Sequence, residues 1–325
     1  HVLSRRQRQM CIRDSFWLNL GSLLLMLLET LYTYQWPGLV ALSIFALSIG
    51  SFVNVVAHRL PIMLQRQWAA ESQQPLNPSA PISATARTLG AKFNLAQPRS
   101  HCPHCGEQLK IVDNIPVISW LRLSGKCRFC GTGISARYPV VERSALVLGL
   151  AVVAAHGYSL PSLFYCGLMW TLLALLLIDY DSGLLPDQIT LPLLWAGLLL
   201  NTMYPLVPLH DAVIGAMAGY LSLWLIFWLF KLATGKDGMG YGDFKLLAAL
   251  GAWFGWQALP QVLMIAAATG LIYALYQVGT GRQSSSSAIP FGPFLAIAGW
   301  VATLLHDSVL SMWTVSYTHL TLPTT

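Results

Sequence analysis

Charged residues are scarce in this sequence of 325 residues. They make up 10% of the chain, whereas soluble domains carry about 25%. The deficit excludes an ordinary soluble enzyme, and it also excludes disordered and coiled-coil proteins, which both need abundant charge. Because 55% of the residues are hydrophobic, the composition predicts an all-α polytopic membrane protein.

Several common catalytic signatures are also missing. The sequence has no G-x-S-x-G, no H-E-x-x-H and no P-loop lysine motif, and it has no glycine-rich Rossmann fingerprint. Serine, cysteine and histidine residues form no other arrangement that is typical of nucleophilic catalysis. Any catalytic chemistry should therefore be sought among the few acidic residues.

Eight apolar segments approach the roughly 20 residues that a membrane-spanning helix needs. They cover residues 39–57, 140–156, 163–178, 189–206, 212–232, 244–258, 261–278 and 290–306. If the long polar stretch between the first two spans is cytoplasmic, every lysine and arginine after Ser15 lies on that side or at helix ends there. The net charge of +6 then follows from the positive-inside rule, so we expect contact with the lipid bilayer and no nucleic acid.

The pattern divides the chain into parts. Residues 16–57 form one or more N-terminal membrane segments, residues 58–139 form a cytoplasmic insert, and residues 140–306 form a seven-helix membrane domain. Residues 1–15 and 315–325 lack an organised hydrophobic pattern and resemble translated adapter sequence. Glu29 interrupts the apolar run of residues 16–34. This segment is therefore open to three interpretations, which are a ninth span, a native leader segment or part of the same artefact.

Four cysteines of the insert form two C-x2-C pairs, Cys102 with Cys105 and Cys127 with Cys130. Each pair can hold one metal ion from a tight turn, and four thiolates suit zinc. Disulfide bonds, redox-active thiols or free thiols are the alternatives, but thiols stay reduced in the cytoplasm. We therefore predict a structural Zn2+ site in a small zinc-ribbon-like insert.

Acidic residues stand at two predicted cytoplasmic helix ends. Asp179 and Asp181 close one span, and Asp243 opens another behind three glycines. Carboxylates at these ends can meet and share one proton, so that one acts as a base towards water while the other polarises a carbonyl group. Ordinary loop acids and a capped helix are the alternative, which the residues alone leave open.

Further motifs resemble those of bacterial type IV prepilin leader peptidases, which are also N-methyltransferases. These motifs are Gly50-Ser-Phe-Val-Asn-Val-Val-Ala-His-Arg-Leu-Pro61, Asn114-Ile-Pro-Val-Ile-Ser-Trp120, Gly125-Lys-Cys-Arg-Phe-Cys130, Arg137-Tyr-Pro-Val-Val-Glu142, Gly240-Tyr-Gly-Asp243 and Pro290-Phe-Gly-Pro293. The resemblance runs from about Leu39 to His306.

The resemblance implies an enzyme of the bacterial inner membrane whose active site faces the cytoplasm. Such an enzyme cleaves the leader of type IV prepilins or type II secretion pseudopilins after a glycine. It then methylates the new N-terminal residue with S-adenosylmethionine. By the same resemblance, Asp179 and Asp243 are the catalytic pair, and Asp181 is the second choice for the first position.

The resemblance also implies supporting residues. Candidates for substrate binding or support of the active site are Gly240, Gly242, Asp181 and Lys245. Candidates for methyl transfer are Asn54, Arg59 and Glu142, which could equally have structural roles as a membrane-edge anchor or interhelical hydrogen bonds. Asp187 is expected to cap the span from Ile189, and Pro290-Phe-Gly-Pro293 is expected to bend a helix entry.

Two other classes of membrane protein compete with this interpretation. An ion-coupled transporter should carry charges deep within its spans, whereas Asp179 and Asp243 stand at span ends. A catalytically inactive scaffold with a zinc ribbon would not need the two aspartates. Both classes are therefore less consistent with the sequence than a peptidase.

Overall fold

The computed structural model describes residues 36–72, 93–236, 238–280 and 289–318. Segments 1–15 and 16–34 lie outside the described residues, as do residues 319–325 of the tail. The described chain is helical and contains no named strand, which confirms the predicted all-α membrane fold. Its helices are α1 (Trp36–Ser72), α2 (Ile118–Arg122), α3 (Arg137–His156), α4 (Leu160–Ser182), α5 (Asp187–Met203), α6 (Leu209–Thr234), α7 (Tyr241–Phe254), α8 (Leu259–Gly279) and α9 (Gly292–Thr318).

Five helices are long and apolar enough to cross a membrane, namely α1, α3, α4, α6 and α8 with its preceding turn. A helix also lies at each of the other three predicted spans, but α5 has 17 residues and α7 has 14, so both fall short of that length. The number of eight spans therefore stays a prediction.

The first helix is longer than its predicted span. It continues from Ala57 through Pro61 to Ser72, so the first part of the predicted insert is helical. At 1.5 Å per residue its 37 residues extend about 55 Å, whereas the apolar layer of a bilayer is about 30 Å thick. Helix α1 is therefore longer than one crossing of that layer needs, and its second half contacts the rest of the insert through Arg59.

Helices α4 and α7 form the centre of the membrane domain. In α4, 61% of the apolar window is buried, against 17–39% in the other four candidate spans. Every residue of α7 from Leu246 to Phe254 is buried, including its fully enclosed Trp253. Because these residues are covered by other parts of the protein on all sides of the helix, α7 is a core helix.

Small residues bring α6 and α7 into direct backbone contact. A Cβ atom at Gly215 would lie 2.3 Å from the carbonyl oxygen of Gly251, and one at Gly219 would lie 2.6 Å from that of Leu247. The G-x-x-x-G spacing in α6 therefore serves close helix packing, as is common between membrane helices. This packing fixes the position of α7 and hence of its first turn.

Candidate active site and metal centre

Asp179 lies in the last turn of α4. The helix ends at Gly183, whose φ of 64° is left-handed and whose N–H donates to the carbonyl oxygen of Asp179 at 2.8 Å. The Asp179 residue is 5% exposed. The most buried of the long helices thus presents a carboxylate at its very end.

Asp243 lies in the first turn of α7. Gly240 occupies the N-cap position in an extended conformation, and its carbonyl oxygen accepts from the Asp243 N–H at 3.3 Å. The Asp243 residue is also 5% exposed, although it stands at a helix terminus. Negative charge at this end is favoured by the helix dipole.

The fold brings these two carboxylates to one place. They interact electrostatically, and the backbone of Gly292 closes the space beside Asp179, where a Cβ atom would be 2.5 Å from Oδ2. Leu185 reaches both sides, because its side chain contacts Gly242 and Gly292. Within the described residues, Asp179 Oδ2 and Asp243 Oδ1 are buried and accept no hydrogen bond. Two such carboxyl groups share a proton more readily than they ionise together.

Asp181 lies only two residues further along but has a different environment. Its carboxylate is paired with the guanidinium of Arg137, through Nη1 at 2.9 Å and also through Nη2. This pair is partly exposed, and it joins the end of α4 to the start of α3. The structure therefore brings Asp179, and not Asp181, to Asp243.

The predicted cap at Asp187 is wrong. Pro186 occupies the N-cap position of α5, and no side chain makes a capping hydrogen bond there. Instead, Lys245 Nζ donates to both carboxylate oxygens of Asp187 at 2.7 Å. Lys245 therefore links α7 to the first turn of α5, two residues from Asp243.

The two glycines that precede Asp243, Gly240 and Gly242, differ in the space that a side chain would find. A Cβ atom at Gly242 would come 2.5 Å from Leu185 Cβ, so this position requires glycine for packing. A Cβ atom at Gly240 would meet Asp243 Oδ2 at 3.7 Å, which is an ordinary contact. Sequence reasoning missed Gly292 and Leu185 as parts of the site. The Pro290-Phe-Gly-Pro293 motif is the sequence signal that marks this position, since it contains Gly292.

The four cysteines of the insert form one cluster. Their Sγ atoms all lie within 4.8 Å of one another, with Cys102 and Cys127 buried and Cys105 and Cys130 exposed. None of these four is in a disulfide bond. The cluster could hold a metal ion, which is the arrangement that the paired spacing predicts.

Both cysteine pairs use the same backbone turn. Cys102 O accepts from Gly106 N–H at 2.9 Å, and Cys127 O accepts from Gly131 N–H at 3.0 Å. Both glycines have a positive φ near 70°, which requires glycine. Hydrogen bonding to Thr132 lowers the pKa of Cys130 to about 6, whereas desolvation and hydrogen bonds with the other cysteines raise the pKa of Cys105 to about 11.

Two of the methyl-transfer candidates join α1, α3 and the insert. Asn54 Nδ2 donates to the carbonyl oxygen of Tyr138 at 3.2 Å, across the α1–α3 interface. Glu142 Oε2 accepts from the N–H of Val117 at 2.7 Å and so ties the insert to α3. Both side chains are buried. Their contacts are those of interhelical and interdomain links.

The third candidate, Arg59, is also buried and donates to backbone carbonyl groups. Its guanidinium reaches the oxygens of Asn94, Leu95 and Pro98 at 3.0, 3.2 and 2.7 Å. It also lies 5.8 Å from the centre of the Phe93 ring. Arg59 therefore fastens the insert to the long helix α1, and the fold collects all three candidates where the insert meets the membrane helices.

Comparisons with known proteins agree with this arrangement. Residues 44–156 match the bacterial peptidase A24 N-terminal domain, and residues 166–275 match the type IV leader peptidase family. A prepilin leader peptidase/N-methyltransferase of Aeromonas salmonicida is 50% identical over 291 residues, which are 90% of this chain and 98% of that protein. A protein of the same name from Pseudomonas putida is 49% identical over 82% of this chain and 90% of its own length. One from Pseudomonas aeruginosa is 45% identical over 87% of this chain and 96% of its own length.

No solved structure matches the chain. The chain belongs to the type IV leader peptidase family.

Proposed function

We propose that this chain is a membrane aspartic endopeptidase that cleaves the leader of type IV prepilins or type II secretion pseudopilins after a glycine. It would then methylate the new N-terminal residue with S-adenosylmethionine. The observation that carries the peptidase assignment is the meeting of Asp179 and Asp243, both buried, at the ends of the two core helices. The names of the relatives support the substrate class and the second activity.

The two carboxyl groups would work as an acid–base pair. The ionised one takes a proton from a water molecule as the water oxygen attacks the scissile carbonyl carbon, and the protonated one gives its proton to the carbonyl oxygen. In the second half, the first group gives its proton to the leaving nitrogen as the C–N bond breaks. The second group recovers a proton from the gem-diol, so the pair returns to its starting state.

We place the site at the cytoplasmic face of the bacterial inner membrane. The basic residues of the insert and of the helix ends beside Asp179 and Asp243 support this orientation through the positive-inside rule. Water is available at this depth, whereas it is scarce at the middle of the bilayer. An ion-coupled transporter is less consistent with acids at helix ends, and the family membership does not favour it.

The cysteine cluster would hold a structural Zn2+ ion. Four thiolates from two equivalent turns provide a closed tetrahedral set, with no open position for catalysis. Between residues 93 and 136 the insert has only short helices and isolated β-bridges, so a metal would stabilise a small core. S-Adenosylmethionine would supply the methyl group. Asn54, Arg59 and Glu142 would hold the insert in place for that reaction.

Cleavage of a prepilin-like peptide in detergent tests the peptidase assignment. Wild type, Asp179→Asn, Asp181→Asn and Asp243→Asn are compared by the masses of the products. We expect Asp181→Asn to cleave and the other two variants to be inactive. A mass gain of one methyl group with S-adenosylmethionine would identify the second activity. Cleavage by all three variants, in a preparation free of other proteases, would contradict the aspartic mechanism.

A further inference from the structure

Three polar side chains, Tyr180, Tyr273 and Gln277, interact near the end of α4 that carries Asp179. Tyr180 follows Asp179 in sequence, and its hydroxyl group interacts with that of Tyr273 on α8. Gln277, one turn further along α8, donates from Nε2 to Tyr273 Oη at 2.6 Å. These side chains therefore connect the last turn of α4 with the C-terminal end of α8.

A second set of contacts ties the same cluster to the active site. The ring of Tyr273 packs against Phe294, with centroids 5.7 Å apart and planes inclined by 52°. Phe294 lies two residues after Gly292, whose backbone adjoins the Asp179 carboxylate. Tyr273 thus lies beside the α9 segment that follows Gly292, and Gln277 lies one helical turn further along α8.

Only one of the two polar groups of the Gln277 amide has a hydrogen-bond partner. Its Nε2 atom bonds to Tyr273 at the neighbouring helical position, which is an ordinary contact between residues four apart. Its Oε1 atom is buried and accepts no hydrogen bond from another described residue, a property it shares with Asp179 Oδ2 and Asp243 Oδ1. A buried carbonyl oxygen without a donor is costly, so the site is suited to a ligand that brings an N–H group.

A peptide substrate brings such groups. A water molecule and two carboxyl groups can reach a scissile peptide bond only where the substrate is not helical, because helical packing encloses the backbone. Each backbone N–H that leaves a helix at a membrane edge then needs a new acceptor. An acceptor on the enzyme close to the carboxylate pair would satisfy such a group and also hold the extended segment in place, which water would not do.

We propose that Gln277 is a substrate-binding residue whose Oε1 accepts a backbone N–H of the extended segment next to the scissile bond. Tyr273 holds the amide in this orientation, and Tyr180 connects the cluster to the helix that carries Asp179. The inference deepens the proposed peptidase function and depends on it. Because a backbone N–H is recognised, the contact serves substrates of different side-chain sequence.

A peptide series in which single amides are replaced by esters tests this contact. Each ester removes one N–H at a position other than the scissile bond, and kcat/KM is measured for wild type and Gln277→Leu. We expect Gln277→Leu to lower kcat/KM for the all-amide peptide about tenfold, the effect of one hydrogen bond. At one position, the ester should cost wild type about tenfold and Gln277→Leu less than twofold, because the shared hydrogen bond is already lost.

Two further variants separate binding from folding. Tyr273→Phe removes the group that orients the amide, and we expect an intermediate loss at the same position. Tyr276→Phe is the matched control, since its ring is exposed on the same helix, and we expect wild-type kinetics. An identical ester profile in wild type and Gln277→Leu would overturn the inference. Absence of cleavage by wild type itself would instead overturn the proposed function.

Discussion

Replacement of Gly292 by alanine should damage catalysis and leave the fold intact. The new Cβ atom would lie 2.5 Å from Asp179 Oδ2 and 3.1 Å from both Asp179 Cγ and Leu185 Cδ1. Its tightest contact is thus with the carboxylate itself and not with the backbone of another helix. The atom that must move is therefore one that we place in the reaction.

The size of the effect follows from these distances. An ordinary contact begins near 3.4 Å, so Oδ2 must move by about 0.9 Å, and displacements of about 1 Å can cost about a hundredfold in rate. We expect kcat to fall by about that factor. Because alanine favours a helix more than glycine does, the free energy of unfolding should stay within about 1 kcal/mol of wild type.

A second glycine of α9 provides the matched control. A Cβ atom at Gly299 would come 2.7 Å from Leu172 Cδ1 and 2.9 Å from Leu250 Cδ2, a clash of similar size that lies among core leucines. Gly299→Ala should therefore lose stability by about 1–3 kcal/mol and keep most of its kcat.

Peptide cleavage in detergent and thermal unfolding are measured on both variants. Wild-type kcat in Gly292→Ala would refute the placement of Asp179 against this backbone. An equal loss of stability in both variants would show that Gly292 is only a packing residue.

The remaining predictions concern the metal centre, the core and the exposed ion pair. Cys102→Ser should release the bound metal and unfold the insert, so that metal analysis of the purified protein falls from about one Zn2+ per chain to a small fraction. Gly251→Ala should destabilise the protein by about 3 kcal/mol or more, because the Cβ atom would lie 2.1 Å from a carbonyl oxygen of α6. Gly167→Ala, with nothing within 4 Å, should be neutral in the same unfolding assay. A double-mutant cycle with Arg137→Gln and Asp181→Asn should give a coupling below about 1 kcal/mol, since the pair is partly exposed. A larger coupling would show that this pair fixes the end of α4.

Local features of the molecule were predictable from the sequence. Apolar length and the distribution of basic residues predicted a helical membrane protein, and the paired cysteine spacing predicted one cluster. These predictions succeed because hydrophobic length and C-x2-C turns depend on neighbouring residues. The predicted cap at Asp187 failed for the opposite reason, since its partner Lys245 is distant in the chain.

The candidate site was predictable only in part. Acidic helix ends on one predicted side indicated that Asp179 or Asp181 could meet Asp243, and the motifs resembling the peptidase family favoured Asp179. The directions of the two side chains depend on the rotation of α4 about its axis. That rotation is set by packing against α3 and α9. On the side of α3, Arg137 forms an ion pair with Asp181, and on the side of α9, Gly292 lies against Asp179.

The sequence by itself determined the class of protein, the approximate places of the main helices, the cysteine cluster and the set of acids from which a pair could be drawn. Only the tertiary structure decided that α7 is a core helix, that Gly292 and Leu185 close the site, and that Gln277 keeps a buried amide oxygen without a hydrogen-bond partner. The physical reason is that helix formation and membrane insertion depend on the average character of a segment. Contacts within a site depend on the distance between separate helices and on the rotation of each helix about its axis. Close packing at single glycines decides both.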